Sequence, residues 1–391
     1  MGKIQHIVPK WYLRNFSPDK DKGFIHIFEK NTKSQKFDPI NKTAAKDNFY
    51  GEDGVFEELL NPFETRTSEV VRNIIASEKV QNLNEKQFNS LLEFVLLQSC
   101  RTESAQEITD KFLEVKKYRD TIPSVKRQNE SISKEMIDSI FDSEPDYHKW
   151  NMKMEMKSGE TISDLSPYLI KNVTKIPFIT SDDPVVINNY YLMKKYELIG
   201  LCSLGLQIIC PLTCELALLL IHKEAYKVNS DNQSTIVVNV ENDINSLNQL
   251  QMLNCYQQVF SKTDDFAYLQ KLSDDSEKMR NKELQRINRL TNCAFFSVDK
   301  PNLLQEYNNA EKMNYHIHFS FLKLNHGFNK KYKSKFVKNN PKSQIPIRDP
   351  KRFTESQKMA DSYIASVLDE YKSNLEHKYS SDATQGDQTS I

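Results

Sequence analysis

The fold of this chain depends first on its N-terminal segment, Gln5-His6-Ile7-Val8-Pro9-Lys10-Trp11-Tyr12-Leu13-Arg14-Asn15-Phe16. Chain ends are usually frayed and chemically plain. This one carries a histidine after an amide, followed by a proline and a closely spaced aromatic and apolar run. We therefore expect the segment to be packed inside the fold and to bring His6 to a site.

Composition limits the classes of protein to consider. The chain has 391 residues, enough for one large or two ordinary domains. Its 53 basic and 53 acidic side chains cancel, so any attraction to nucleic acid or membrane must come from a local patch. Only nine glycines are present, which disfavours glycine-loop nucleotide folds. No apolar run approaches the ~20 residues that span a bilayer, so we expect no membrane partner.

The six cysteines also indicate a compartment. They are scattered along the chain, and none forms a C-x-x-C pair. That usage is typical of buried free thiols in a reducing cytosol, so the sequence predicts a cytoplasmic protein.

Periodicity predicts an α+β fold, in which a largely helical layer packs on a mixed or antiparallel sheet. The N-terminal segment is expected to thread between the two layers. The predicted helices cover 55–78, 84–118, 133–157 and 242–261, with a break or kink at Pro62. The predicted strands cover 24–29, 35–40, 175–180, 185–187, 206–212, 216–221 and 293–298.

The last quarter of the chain differs in composition. Residues 321–352 hold ten Lys or Arg and one acid, with Phe328, Tyr332 and Phe336 interleaved. Lysines neutralise phosphates and aromatic rings stack on unpaired bases, so RNA or DNA is an expected partner. The alternative is a solvated lysine-rich surface. The proposed nucleic-acid contacts are Lys330, Lys331, Lys333 and Lys335.

We divide the chain accordingly into three parts. Residues 1–305 form a single α+β core domain. Residues 306–378 form a C-terminal basic extension with a terminal amphipathic helix, whose predicted cap is Thr354. Residues 379–391 are small and polar, and we expect a disordered tail.

Four separated segments resemble an uncharacterised, mostly bacterial family, domain of unknown function 4238. The first is the N-terminal segment, and the second is Phe63-Glu64 after the Asn48-Phe49-Tyr50 turn. The third is Gln98-Ser-Cys-Arg101-Thr102, expected in mid-helix, and the fourth is Phe178-Ile-Thr-Ser181-Asp182-Asp-Pro184. The resemblance covers roughly residues 4–300, and it implies a shared fold and a shared polar cluster.

The polar cluster of these motifs would consist of His6, Glu64, Arg101 and Asp182. Each has apolar residues close by, and charges in such surroundings are costly unless they are paired, so we expect the four to converge. Convergence would keep the acids ionised and raise the proton affinity of the histidine.

Three interpretations of this cluster stay open. In the first, Glu64, Asp182 and His6 hold Mg or Mn, which activates water, and Arg101 stabilises a phosphoryl oxygen. In the second no metal is needed: His6 is the general base or acid and Arg101 clamps the anion. In the third the cluster is structural. Arg101 then pairs with Glu64 between two helices, Asp182 caps its own turn and His6 bonds a backbone carbonyl.

The function predicted from these patterns is a nucleic-acid-acting hydrolase, an RNase or DNase. Its catalytic residues would be His6, Glu64, Arg101 and Asp182, with Gln5 among the substrate contacts. By analogy with other uncharacterised bacterial families it would be an effector of phage defence or stress. The alternative is a non-enzymatic binding or sensor module that grips an anionic ligand.

Overall fold

A computed structural model describes residues 4–19, 21–107, 109, 147–156, 159–191, 200–231, 234–279, 317–325, 327–328, 347–349, 351–352, 354–355 and 358. Its α-helices include α1 (Lys10–Leu13), α2 (Val55–Ser77), α3 (Glu85–Cys100), α4 (Tyr147–Glu155), α5 (Glu241–Asn254) and α6 (Phe266–Met279). The fold is α+β, as predicted.

A four-stranded antiparallel sheet has the strand order β3-β2-β12-β6. Its strands are β2 (Phe24–Glu29), β3 (Ser34–Pro39), β6 (Thr180–Ser181) and β12 (Gln258–Ser261). The predicted strands 24–29 and 35–40 are therefore confirmed, the second one residue earlier than predicted, and they pair as a hairpin. The predicted helix 242–261 is too long, because the chain leaves α5 at Asn254 and residues 258–261 enter this sheet between β2 and β6.

The second large sheet has five strands in the order β11-β5-β9-β8-β7. They are β5 (Ser166–Asn172), β7 (Val186–Asn188), β8 (Gln207–Pro211), β9 (Leu216–Ile221) and β11 (Thr235–Val238). Only the β11–β5 pair is parallel, so the sheet is mixed. All six residues of β9 are buried, as expected for a central strand that is covered on both faces.

Two short antiparallel pairs complete the described strands. The first joins β1 (Ile4–His6) to β4 (Ala45–Asp47). The second joins β10 (Tyr226–Val228) to β13 (Leu322–Leu324). Because β13 belongs to the predicted C-terminal extension, part of that extension packs on the core domain.

The helical layer packs on the sheets through one large apolar cluster. It contains Val71 of α2, Leu92 of α3, Ile27 of β2 and Leu218 of β9, all of them fully buried. Helix α2 runs through Pro62 without the predicted break. Helix α3 begins at a capping box formed by Asn84 and Gln87, close to the predicted start at 84.

Helix α3 ends earlier than predicted, and after a break at 101–102 the chain is helical again at 103–107 and 109. Helix α3 itself ends at Cys100, and Arg101 is its C-cap residue with φ −86° and ψ 5°, so Arg101 does not lie in mid-helix. Of the predicted helix 133–157, only 147–156 are described, and they contain α4. The predicted strand 293–298, the tail 379–391 and most of the terminal helix lie outside the described residues.

The C-terminal extension also reaches the core at Arg348. This buried guanidinium forms a bidentate ion pair with Asp164, at 2.8 and 3.0 Å. It also donates to the backbone carbonyls of Thr161, Leu201 and Ser203. A buried arginine with this many acceptors is a fixed part of the fold. The predicted boundary between core and extension near residue 305 stays a prediction.

Among the helices in the described part of the chain, none combines the length and the apolar character needed to cross a membrane.

Candidate functional site

The N-terminal segment is held in place by Gln5. This residue is fully buried in β1, and its amide is used at both ends. Its Nε2 donates to the carbonyl of Gly51 at 3.1 Å, and its Oε1 accepts the backbone N–H of Tyr50. The amide therefore joins β1 to the 48–51 turn. Gln5 was predicted as a substrate contact, and the structure gives it this structural role.

One face of α3 contacts the same segment at successive turns. Phe94 packs against Trp11, with ring centroids 5.5 Å apart. One turn later Gln98 donates from Nε2 to the carbonyl of Ile7 at 3.4 Å. Arg101 follows at the end of the helix. Residues three and four apart share a helix face, so this row of side chains fixes the N-terminal segment along α3.

Arg101 is the hub of the candidate site. Its side chain is 2% exposed and donates to three acceptors. One nitrogen bonds Glu64 Oε1 at 2.7 Å, another bonds the His6 carbonyl at 2.7 Å, and Nε bonds the Tyr50 hydroxyl at 3.0 Å. The Tyr50 hydroxyl in turn donates to the His6 carbonyl at 3.2 Å. Burial lowers the pKa of Arg101, but Tyr50 and Glu64 outweigh that effect and raise it, so the guanidinium stays charged.

The His6 imidazole lies beside this hub. Burial is the main cause that lowers its pKa, and the charges of Lys10 and Arg101 act in the same direction. The Ile40 backbone and Glu64 oppose them without reversing the shift. Because the ordinary pKa is 6.5, the ring is neutral at pH 7. The cluster was expected to raise the proton affinity of His6, and this expectation is wrong because burial dominates. The Nε2 atom is buried without a hydrogen-bond partner.

Asp182 does not join this hub. Its carboxylate accepts the backbone N–H groups of Tyr256, Gln257 and Gln258 at 2.9, 2.6 and 2.9 Å. Burial raises the pKa of Asp182, while these amides and the charge of Lys30 oppose the rise. Asp182 therefore anchors the loop between α5 and β12, and it does not cap its own turn.

Asp182 lies apart from the other predicted metal ligands. Among the described residues, no group of three or more His, Cys, Asp and Glu side chains is placed to hold a metal ion. Glu64, Asp182 and His6 are all described. These three side chains therefore do not form the Mg or Mn ligand set expected in the first interpretation. By contrast, the Arg101–Glu64 ion pair expected in the third interpretation is present.

Asp182→Asn is expected to destabilise the fold. Replacing the aspartate with asparagine leaves one oxygen to accept three backbone N–H groups and places an amide donor among them. Hydrogen bonds to charged groups contribute roughly 1.5–3 kcal/mol each, so the free energy of unfolding should fall by about 2 kcal/mol. Urea unfolding followed by circular dichroism measures this loss.

The matched control is Asp264→Asn. Asp264 is exposed, and a surface substitution of this kind should change stability by less than about 0.5 kcal/mol. Equal losses in the two variants would contradict the anchoring role of Asp182.

The sequence did not reveal Asp183, the acid that meets the end of α3. Its Oδ2 accepts a hydrogen bond from Thr102 Oγ1 at 3.4 Å, and its Oδ1 accepts from Asn254 Nδ2 at 3.3 Å. Thr102 directly follows Arg101, so the fourth motif reaches the third through Asp183. Two adjacent aspartates before a proline gave no signal to tell which of them faces α3.

Sequence analysis also gave no role to Tyr12 of the N-terminal segment. Its buried hydroxyl donates to the Pro211 carbonyl at 2.6 Å and lies 2.8 Å from Thr180 Oγ1. It therefore ties the segment to β6 and β8, one strand from each large sheet.

Another buried carboxyl lies at the end of α4. Glu155 is 6% exposed and its Oε2 has no hydrogen-bond partner. Burial raises its pKa from an ordinary value of 4.5 to about 8. Sequence patterns gave no signal that Glu155 is buried, because alternating lysines and methionines surround it, a pattern that is typical of a surface helix.

Four lysines that were predicted to contact nucleic acid lie outside the described residues: Lys330, Lys331, Lys333 and Lys335. Of the ten basic residues in 321–352, Lys323, Arg348, Lys351 and Arg352 are described. Arg348 is committed to the core, as described above. The role of the lysines in binding nucleic acid stays a prediction.

Comparisons with known proteins give a family. Neither the curated proteins nor the solved structures contain a match to this chain. A family model described as a protein of unknown function, DUF4238, matches residues 4–265. The match contains all four motifs quoted above, and it ends earlier than the predicted limit near residue 300. It covers more than half of the chain, and the chain therefore belongs to the DUF4238 family.

Proposed function

We propose that this chain is a nucleic-acid-acting hydrolase in which His6 is the general base or acid of phosphodiester cleavage. The observation that supports this proposal is the meeting of His6, Glu64 and Arg101, which come from three segments far apart in the sequence. A neutral imidazole can accept a proton from water or from a ribose hydroxyl at neutral pH.

Each residue of the cluster has a distinct role in the proposal. His6 Nε2 has no protein partner and is the atom that would exchange the proton. That atom is buried, so the bound substrate must displace a neighbouring side chain to reach it. The Glu64 side chain is 28% exposed, and its charge partly opposes the lowering of the His6 pKa. Arg101 is a positioning residue, because its donors hold Glu64 and the His6 carbonyl.

The proposed chemistry is acid–base catalysis without a metal, because the predicted ligands for Mg or Mn do not come together. The lysine-rich part of 321–352 is proposed to bind the phosphates of RNA or DNA. We also propose a cytoplasmic effector of phage defence or stress. This setting rests on analogy with other uncharacterised bacterial families.

The test is cleavage of labelled single-stranded RNA and DNA by the full chain, with Mg²⁺, with Mn²⁺ and with EDTA. We expect turnover in all three conditions. His6→Gln should lower the rate by roughly 100-fold or more, since general acid–base catalysis contributes about 10²–10⁴-fold. The control is His26→Gln, a half-buried histidine on β2 that has no contact with Arg101 or Glu64 among the described interactions.

Turnover that needs a divalent ion would contradict the metal-free mechanism. Equal activity of His6→Gln and the wild-type chain would remove His6 from the reaction. The absence of cleavage under all conditions would contradict the hydrolase proposal itself.

One observation favours a second candidate, a non-enzymatic module that binds an anionic ligand. Arg101 is buried and its donors are committed to protein acceptors, so the hub is a rigid frame. A binding module needs such a frame and no proton transfer. It predicts that an oligonucleotide raises the melting temperature without being cleaved, as any ligand that binds only the folded state does.

A further inference from the structure

The edge of the four-stranded sheet carries an exposed aromatic surface. Phe37 on β3 is 50% exposed and Phe24 on β2 is 38% exposed. The two rings stack with centroids 5.4 Å apart, and His26 packs on Phe37 at 4.5 Å. Aromatic rings are usually buried, and contiguous exposed apolar surface often marks an interaction site.

The backbone beside this surface is open to pairing. Among the described strands, β3 is hydrogen-bonded only to β2. Ile40 N–H donates to the Gly23 carbonyl at 2.8 Å, and Pro39 lies opposite Phe24. Hydrogen-bonded and non-hydrogen-bonded pairs alternate along an antiparallel ladder. The backbone groups of Asp38, Lys36 and Ser34 are therefore the ones that bond β2. The backbone groups of Gln35 and Phe37 therefore point outward from the sheet.

The side chains of β3 alternate in the same way. Phe37 lies on the face with Phe24 and His26, while Lys36 and Asp38 lie on the opposite face. Within the chain Lys36 pairs with Glu29 at 2.7 Å and more distantly with Asp38 at 3.5 Å. Along the edge strand, a cation precedes the exposed Phe37 and an anion follows it, and both charged side chains lie on the face opposite the phenylalanine ring.

This arrangement is complementary to itself. A two-fold axis through Phe37 would place the edges of two copies antiparallel, with Phe37 opposite Phe37 of the partner subunit. Lys36 would then face Asp38 of the partner subunit, and Asp38 would face Lys36 of the partner subunit. These positions are non-hydrogen-bonded pairs, in which opposite side chains are closest and opposite charges stabilise.

We propose that two copies of this chain form a symmetric dimer by pairing β3 with β3 across that axis. Phe37 exchanges backbone hydrogen bonds with its counterpart, and Gln35 N–H donates to the Pro39 carbonyl of the partner subunit. Such an interface is isologous, since the same patch serves both subunits. It joins the two four-stranded sheets into one continuous sheet and covers the rings of Phe24 and Phe37. The dimer does not depend on the proposed hydrolase activity.

The test uses charge reversal and sedimentation velocity over a hundredfold range of protein concentration. The wild-type mass should rise with concentration from 45.6 kDa toward twice that value. Lys36→Asp alone sets like charges opposite each other, as does Asp38→Lys alone. Each variant should stay at the monomer mass at concentrations where the wild-type chain is dimeric.

An equimolar mixture of the two variants restores both charge pairs, so the dimer mass should return in the mixture alone. Circular dichroism verifies that each variant is folded. The control is Lys86→Asp, on the exposed first turn of α3, which should dimerise like the wild-type chain.

Three outcomes would overturn the proposal. The first is a wild-type chain that stays monomeric at every concentration, which is the result expected if Lys36 and Pro39 serve to protect a bare edge. The second is a mixture of folded variants that stays monomeric. The third is an equal loss of the dimer in Lys86→Asp, which would indicate a general effect of charge.

Discussion

Arg101→Ala is expected to lower the free energy of unfolding by about 3 kcal/mol, because removing one partner of a buried ion pair typically costs about 3–5 kcal/mol. The substitution leaves Glu64, the Tyr50 hydroxyl and the His6 carbonyl without their donor. We place the loss at the low end of the range because Glu64 is partly exposed and water can solvate its carboxylate. Urea unfolding at pH 7 measures the change.

The control for this experiment is Arg66→Ala. Arg66 forms an ion pair of the same length, 2.7 Å, with Glu93, but its side chain is 52% exposed. Exposed pairs contribute about 0.2–1 kcal/mol, so this variant should lose much less stability. Equal losses in the two variants would show that Arg101 is not the hub described above.

The second large effect has the opposite sign. Glu155→Gln is expected to stabilise the fold by about 3 kcal/mol at pH 7, since one pKa unit corresponds to about 1.4 kcal/mol. The pKa of Glu155 rises from 4.5 to about 8 on folding, so the folded state binds its proton more tightly than the unfolded state. Below pH 4.5 the carboxyl is protonated in both states, so its ionisation does not lower the free energy of unfolding. This loss of stability grows as the pH rises to about 8. Glutamine is neutral and similar in size, so it avoids this cost.

The measurement is the free energy of unfolding of both proteins at several values from pH 5 to pH 8.5. The gap between Glu155→Gln and the wild-type chain should be small at pH 5, widen with pH and become constant above pH 8. Glu160→Gln is the control, because Glu160 is exposed. A gap that does not change with pH would mean that Glu155 ionises normally in the folded chain.

Sequence patterns predicted the bounds of an element correctly where burial produces both the sequence pattern and the structure. Residues 24–29 and 216–221 are strands with those bounds. The first alternates into the core, and the second is an apolar run short enough to be one central strand.

The pattern failed where contacts distant in sequence determine the structure. The apolar stripe of α3 contains no glycine or proline near residue 100, so the predicted helix continued to 118. The chain instead interrupts the helix at 101–102 before it is helical again at 103–107, and the Arg101 guanidinium at this break bonds Glu64, Tyr50 and the His6 carbonyl. Propensity is a weak signal that such contacts override.

Only the Arg101–Glu64 part of the candidate site was predicted, for a related reason. Burial argues that charges must find partners, and this led to the Arg101–Glu64 pair. The same argument cannot name the partner, and Asp182 satisfied its charge with three backbone N–H groups instead. Backbone donors are present at every residue except proline, so no sequence signal distinguishes this solution.

The bonds of Tyr12 have a consequence for synthesis on the ribosome. Its hydroxyl cannot donate to the Pro211 carbonyl or contact Thr180 until both residues have emerged, and Pro211 follows nearly two hundred residues later. At about 5–20 residues per second, the nascent chain carries this aromatic segment unburied for roughly 10–40 s. The motif that carries the clearest mark of the family thus completes its native contacts only after strands from both large sheets have been synthesised.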